Sequence, residues 1–160
     1  AGEEPINFSS PSAKNTARVT WSTVGTYKPI DPLGLSLEYT YGHQRSAALD
    51  GTSPANWYGI AGIASWAWTE RFTTAVRGEW FGDPDGARVP RFSNSKTDTN
   101  LGEFTFTGAY KFTKMLLGRI ELRQDFADGN IFGVGDTSGR TNNPSNKSQT
   151  TFALQLLYTF

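Results

Sequence analysis

From about Ala17 to Phe160, almost every regular stretch of the chain alternates apolar and polar residues with a period of two. Side chains on an extended backbone point to opposite faces in turn, so this pattern predicts β-strands and an all-β fold. The last strand shows it most clearly. Phe152, Leu154, Leu156, Tyr158 and Phe160 share one face, and Thr151, Ala153, Gln155 and Thr159 share the other. Upstream, Leu116, Gly118, Ile120, Leu122 and Phe126 oppose Arg119, Glu121, Arg123 and Asp125. The pattern predicts seven strands, near Ala17–Tyr27, Leu33–Gln44, Trp57–Trp68, Phe72–Phe81, Leu101–Phe112, Met115–Phe126 and Gln149–Phe160.

Alternation alone leaves the wet side open, because a soluble sandwich also alternates, with its apolar face turned inward. Three features turn the apolar face outward, toward lipid. First, the connections alternate in length. Lys28–Pro32, Thr69–Arg71 and Thr113–Lys114 are tight, whereas Arg45–Asn56, Gly82–Asn100 and Ala127–Ser148 are long and polar. Short turns at one end and long loops at the other are the habit of an outer-membrane barrel. Second, aromatic residues gather at strand ends: Tyr27, Trp66, Trp68, Phe72, Phe112, Tyr158 and Phe160 at the short-turn end, Trp57, Tyr58 and Trp80 toward the long loops. Such rings are expected at the two membrane interfaces. Third, the apolar face runs through all strands, without the polar breaks of a soluble edge strand.

The fold class expected is therefore an antiparallel transmembrane β-barrel, with seven or eight strands in this chain. Charges on a lipid face would cost about 2–4 kcal/mol each near the midplane. Arg18, Glu38, Arg77, Glu79, Glu103, Lys111, Arg119, Glu121, Arg123 and Asp125 are accordingly expected to line the interior. Seven strands close a barrel poorly. Residues 1–16, which contain Pro5 and Pro11, are expected to be a loop or an irregular first strand, and residues 17–160 the barrel, with short periplasmic turns and long extracellular loops. The chain opens on Ala1-Gly2-Glu3 with no signal-peptide pattern, as a processed chain or a fragment would. The favoured reading is the C-terminal part of a larger barrel, or a chain completed by further copies or another chain; a self-contained eight-stranded barrel is the alternative.

Other classes find little support. The longest weakly polar run, Tyr58 to Trp68, falls far short of the roughly 20 residues of a spanning helix. Lys+Arg and Asp+Glu balance at 15 each, giving no electrostatic case for nucleic acid. The chain has no cysteine, which excludes disulfides and thiolate metal sites. His43 is the one histidine, and its neighbours Tyr41 and Arg45 suggest a strand end rather than a catalytic base. Asp83-Pro84-Asp85-Gly86 could seed a calcium site but lacks spaced ligands, so a turn is the simpler reading. Asp125, Asp128 and Asp136 read as carboxylates more often solvated than ligating, Gly133-Val134-Gly135 has no following helix, and the sequon Asn146-Lys147-Ser148 reads as chance. No cofactor, metal or enzyme activity is expected.

Three stretches carry a family resemblance: Val76–Arg88 (VRGEWFGDPDGAR), Leu117–Phe126 (LGRIELRQDF) and the terminal Gln149–Phe160 (QTTFALQLLYTF). Through them the last ninety residues resemble the β-barrel porin-2 family of OmpL-like outer-membrane proteins. The resemblance implies a porin-like barrel in the bacterial outer membrane, surrounded by lipid, whose last strand is read by the barrel-assembly machinery. Members are usually much longer than this chain, which favours the partial-barrel reading. The function expected is passive diffusion of small polar solutes or ions, with low selectivity from mixed charges. A small closed barrel acting as anchor or interaction protein through its long loops is the second expectation. A soluble carrier would require the Trp and Phe face to be internal.

Overall fold

The computed structural model describes residues 2–4, 16–48, 52–89, 99–133 and 145–160. They form one antiparallel sheet in which neighbours in sequence are neighbours in space. Its strands are β1 (Gly2–Glu4), β2 (Thr16–Ile30), β3 (Leu33–Gln44), β4 (Ala55–Ala67), β5 (Phe72–Asp83), β6 (Thr99–Lys111), β7 (Leu116–Ala127) and β8 (Ser148–Tyr158). The seven long strands of the alternation are present, each at least as long as the roughly 9–11 tilted residues that cross a hydrocarbon core. β1 is a short addition from the N-terminal stretch, pairing Gly2 with Arg18 and Glu4 with Thr16. Pro5 and Pro11 lie outside the described residues. Among the described residues no ladder joins β8 to β1 or β2, so the sheet is open.

Two of the three short turns share one chemical device. Thr69 Oγ1 accepts hydrogen bonds from the amides of Arg71 and Phe72, at 3.2 and 2.9 Å. Thr113 Oγ1 does the same for Met115 and Leu116, at 3.1 and 3.0 Å. The hydroxyl caps turn amides that would otherwise need water. The first tight turn is shorter than its sequence suggests. β2 runs on to Ile30, which pairs with Leu33 after an irregularity between Tyr27 and Ile30, so only Asp31 and Pro32 make the turn. Lys28 forms an ion pair with Asp31 across it. At the other end the long connections are shortened by pairing: Ala55 and Asn56 oppose Gln44 and His43, and Thr99 opposes Asp83.

Register sorts the side chains into two unlike faces. One carries Leu37, Ile60, Val76, Phe106, Ile120 and Leu154, the other the charges. The apolar face is the exposed one: Leu154 and Leu156 are 71% and 74% exposed, while Glu103 and Thr105 are 5% exposed. A water-soluble sheet does the reverse, because burying apolar area is its main stabilisation. Rings on the apolar face pack in pairs near its two ends. Tyr58 meets Trp80 with centroids 5.2 Å apart at the long-loop end; Trp66 meets Trp68 at 6.0 Å and Tyr110 meets Phe112 at 5.2 Å at the short-turn end.

This inversion makes a direct prediction about lipid. In vesicles, Leu154→Arg lowers unfolding stability by about 2–4 kcal/mol, whereas Ala153→Arg, one residue away on the charged face opposite Glu121, costs less than about 1 kcal/mol. Denaturant titration of both variants checks it; equal losses would contradict the assignment of faces.

Candidate functional site

The ladders align the charged residues in rows across the strands. One row runs Glu38, Ala61, Glu79, Glu103, Asp125 and Gln149, from β3 to β8. Four of its six side chains are carboxylates. The next row toward the short turns runs Ser36, Ile63, Arg77, Thr105, Arg123 and Thr151. The row beyond it holds Thr107 and Glu121, and the next holds Arg119. On the other side of the carboxylates, toward the long loops, lies a mainly apolar row of Thr40, Gly59, Phe81, Leu101 and Ala127. Charge on this face is thus layered along the strand direction.

Adjacent rows neutralise one another in part. The Arg77 guanidinium bridges the carboxylates of Glu79 and Glu103, one Nη donating to each. Thr105 Oγ1 donates to Glu103 as well. Arg123 donates to Asp125 through Nε at 2.8 Å and Nη2 at 2.6 Å. Glu103 and Asp125 are buried, so these charge-assisted bonds replace lost hydration. Glu38 accepts hydrogen bonds from Ser22 at 3.1 Å and Thr40 at 3.4 Å. Among the described residues no guanidinium or ammonium pairs with it. A cavity of about 420 Å³ borders Arg77, Thr107, Arg119, Glu121 and Arg123. Another of about 520 Å³ borders Glu38, Arg77, Glu79 and Phe81.

The long-loop end of this face is built around Trp57. Trp57 was expected among the interface aromatics, but it faces the charged side and is only 4% exposed. The reason is parity: Tyr58, one residue on, occupies the apolar face, so its neighbour cannot. Trp57 lies flat over Gly42, its ladder partner, where a Cβ would come within 2.0 Å of the indole. The guanidiniums of Arg18 and Arg88 stack on the ring, 5.6 and 5.2 Å from its centroid. Arg18 also donates through Nε to Gln44 at 2.9 Å.

The loop carboxylates have structural partners. Asp83 is fully buried and accepts from the amides of Ala87, Arg88 and Val89 at 2.9, 2.7 and 2.7 Å. Asp85 accepts from the Asn56 amide at 2.8 Å, and Asp128 from the Asn100 amide at 3.0 Å. No metal-binding group of His, Asp or Glu occurs among the described residues. Asp136, Val134 and Gly135 lie outside them. Asn146 joins the chain backbone-to-backbone with Phe132.

The ten charges expected to line an interior share one face of the sheet, with Arg18 at its long-loop end beside Trp57. Lys111, the last residue of β6, shares their face but sits exposed at the short-turn end, away from the paired cluster. The other interface aromatics, Tyr27, Tyr58, Trp66, Trp68, Phe72, Trp80, Phe112, Tyr158 and Phe160, are strand-end residues or flank strands on or beside the apolar side. His43 lies on the apolar face with Nδ1 2.9 Å from Asn56 Oδ1, which also accepts from Tyr41. Sequence reasoning missed Arg88, Phe81, Leu101 and Ile131 as members of the charged face's surroundings. Parity could have supplied Phe81 and Leu101; Arg88 and Ile131 reach it from loops, where periodicity is silent.

Residues 3–160 match the family described as "Putative beta-barrel porin-2, OmpL-like", a longer match than the last ninety residues that carry the visible resemblance. No curated protein and no solved structure matches the chain.

The Arg77 bridge is testable by a double-mutant cycle. Arg77→Met leaves two carboxylates facing each other and costs about 1–3 kcal/mol. Adding Glu103→Gln recovers most of that loss, because a neutral pair replaces the ionic one. A coupling energy near zero would show that the bridge contributes nothing to stability.

Proposed function

The chain belongs to the β-barrel porin-2, OmpL-like family, and from that premise we propose that it forms the wall of an outer-membrane passage for small polar solutes and ions, moving by passive diffusion. The observation that carries the reading is a reversal of burial at the centre of the sheet: Glu103, Thr105 and Asp125 on the charged face are buried while the apolar face is exposed along every long strand. In lipid that arrangement places the fixed charges on a hydrated interior.

An open sheet edge in hydrocarbon leaves backbone N–H and C=O groups unpaired at several kcal/mol each. In this reading further strands close the barrel beside β8 and along the edge formed by β2 and the short β1. Seven long strands are too few to enclose water by themselves, since about eight strands leave an interior filled by side chains. We read the chain as part of such a wider barrel, with its long loops outside the cell and its Thr-capped turns at the periplasmic side. In this reading the terminal strand is the segment presented to the barrel-assembly machinery. The chemistry assigned is transport, without catalysis.

The layered charges set the selectivity. Glu38, Glu79, Glu103, Glu121 and Asp125 make five carboxylates in the central band, against three guanidiniums, Arg77, Arg119 and Arg123. Both arginines of the row nearest the carboxylates are held by them. The band is net negative and favours cations weakly, a narrower statement than mixed charge alone supports.

Planar-bilayer recording under a KCl gradient tests this. The folded, fully assembled protein gives channel events with a reversal potential on the potassium side. Glu79→Gln with Glu103→Gln leaves Arg77 uncompensated and moves the reversal potential toward chloride. An absence of channel events from assembled protein would refute the transport reading; an unchanged potential in the double variant would refute the selectivity assignment.

A further inference from the structure

The apolar face is not evenly filled. Gly108 and Gly118 stand on adjacent rows of that face, opposite Ile120 and Tyr110. With no side chain at either point, the surface sinks into a groove of about 590 Å³ walled by Phe72, Phe106, Phe112 and Leu154. The hydroxyl of Thr74, at its edge, already accepts from Trp68 Nε1–H at 2.9 Å. The groove lies at the short-turn end, and its mouth is cationic. Arg71 occupies the turn between β4 and β5, and Lys114 the turn between β6 and β7. Lys111 ends β6 beside them, its amide donating to the Arg71 carbonyl at 2.9 Å. All three side chains are exposed, and among the described residues none of them makes an ion pair. Glu70 is the one carboxylate in these two turns.

A second groove on the same face separates shape from charge. It has a volume of about 560 Å³ and crosses β2 to β5 over Gly25, Gly62 and Gly78. The cation of the β2–β3 turn, Lys28, is already paired with Asp31, so this groove has apolar walls without a free charge at its mouth. Hydrocarbon chains fill any dent in a lipid-facing surface, because an unfilled one forfeits dispersion contacts. A lipid is held at one place only where fixed charge above the dent meets its headgroup. We propose that the groove over Gly108 and Gly118 seats an acyl chain of one anionic glycerophospholipid, whose phosphate rests among Arg71, Lys111 and Lys114. Long cationic side chains at strand ends turn their heads toward the interface while their stems lie along apolar surface. The Tyr110–Phe112 ring pair stands at the same level, where the headgroup region begins. The seat rests on the membrane placement proposed above, and not on conduction. Its occupant belongs to the leaflet on the short-turn side.

Native mass spectrometry of the assembled protein in detergent, titrated with phosphatidylglycerol or with phosphatidylcholine, tests the seat. The unaltered protein binds one phosphatidylglycerol per chain about ten-fold more tightly than phosphatidylcholine. Arg71→Gln combined with Lys114→Gln brings the two lipids within about two-fold of each other. Gly108→Leu fills the groove, since a Cβ there meets Ile120 Cγ1 at 3.4 Å, and it weakens retention of both lipids. Gly62→Leu, in the second groove where a Cβ meets nothing within 4 Å, changes neither. Equal affinity of the unaltered protein for the two lipids would overturn the seat, as would undiminished phosphatidylglycerol binding by Gly108→Leu. Bilayer recording on the same preparation separates this assignment from transport. Channel events without lipid preference remove the seat and leave the passage standing; lipid preference without channel events supports the seat and refutes the passage.

Discussion

Backbone pairing is the constraint on which the rest of this structure depends. In hydrocarbon each amide and carbonyl must find its partner within the protein, and a strand does so only through its neighbours. Seven successive antiparallel ladders supply those partners and fix the register residue by residue. A slip of one residue in any of them would turn a whole strand's apolar side chains onto the charged face. The register that keeps the faces separate is also the register that stacks Glu38, Glu79, Glu103 and Asp125 in one row. Charge layering is thus a by-product of pairing, available wherever alternate residues of several strands carry the right side chains. Arg77 illustrates the economy of the arrangement, since one guanidinium beneath the row serves carboxylates on two strands.

Most of the fold was legible because a period of two needs no context. The seven long strands, their order and the composition of both faces follow from it, and the family match extends over nearly the whole chain. The boundaries that fell short of the observed strands share one cause. At Ala55, Thr99 and Ile30 the ladder continues past the last residue of clear alternation, because a polar or proline-flanked residue can still pair its backbone. Trp57 was misassigned by residue type over parity: a large ring near a strand end looks like an interface anchor, yet its position in the alternation puts it opposite Gly42 on the charged side. The seating of the Asp83 loop was illegible for a different reason. Asp-Pro-Asp-Gly announces a turn, but the three amides gathered by its first carboxylate and the stacking of Arg88 are geometry that no periodicity encodes.

The carboxylates of this chain divide into two kinds by location. Those on the strands, Glu79, Glu103 and Asp125, meet guanidiniums and keep their charge on a sheltered face. Those near the long loops, Asp83, Asp85 and Asp128, meet backbone amides and shape the chain. The same functional group therefore joins strands in one place and folds a loop in the other. The difference follows from what is nearby: ladders leave strand amides occupied, while loops have amides to spare.

The two threonine-capped turns have a consequence for how the chain becomes ordered. Each brings together strands separated by only a few residues, and the hydroxyl holds the bend through local contacts alone. Closing so short a loop sacrifices little chain entropy, whereas the long connections between hairpins sacrifice more. β4 with β5, and β6 with β7, are thereby the natural units of assembly: ribbons that zip from the bend outward and dock side by side, with the polar segments between them settling last.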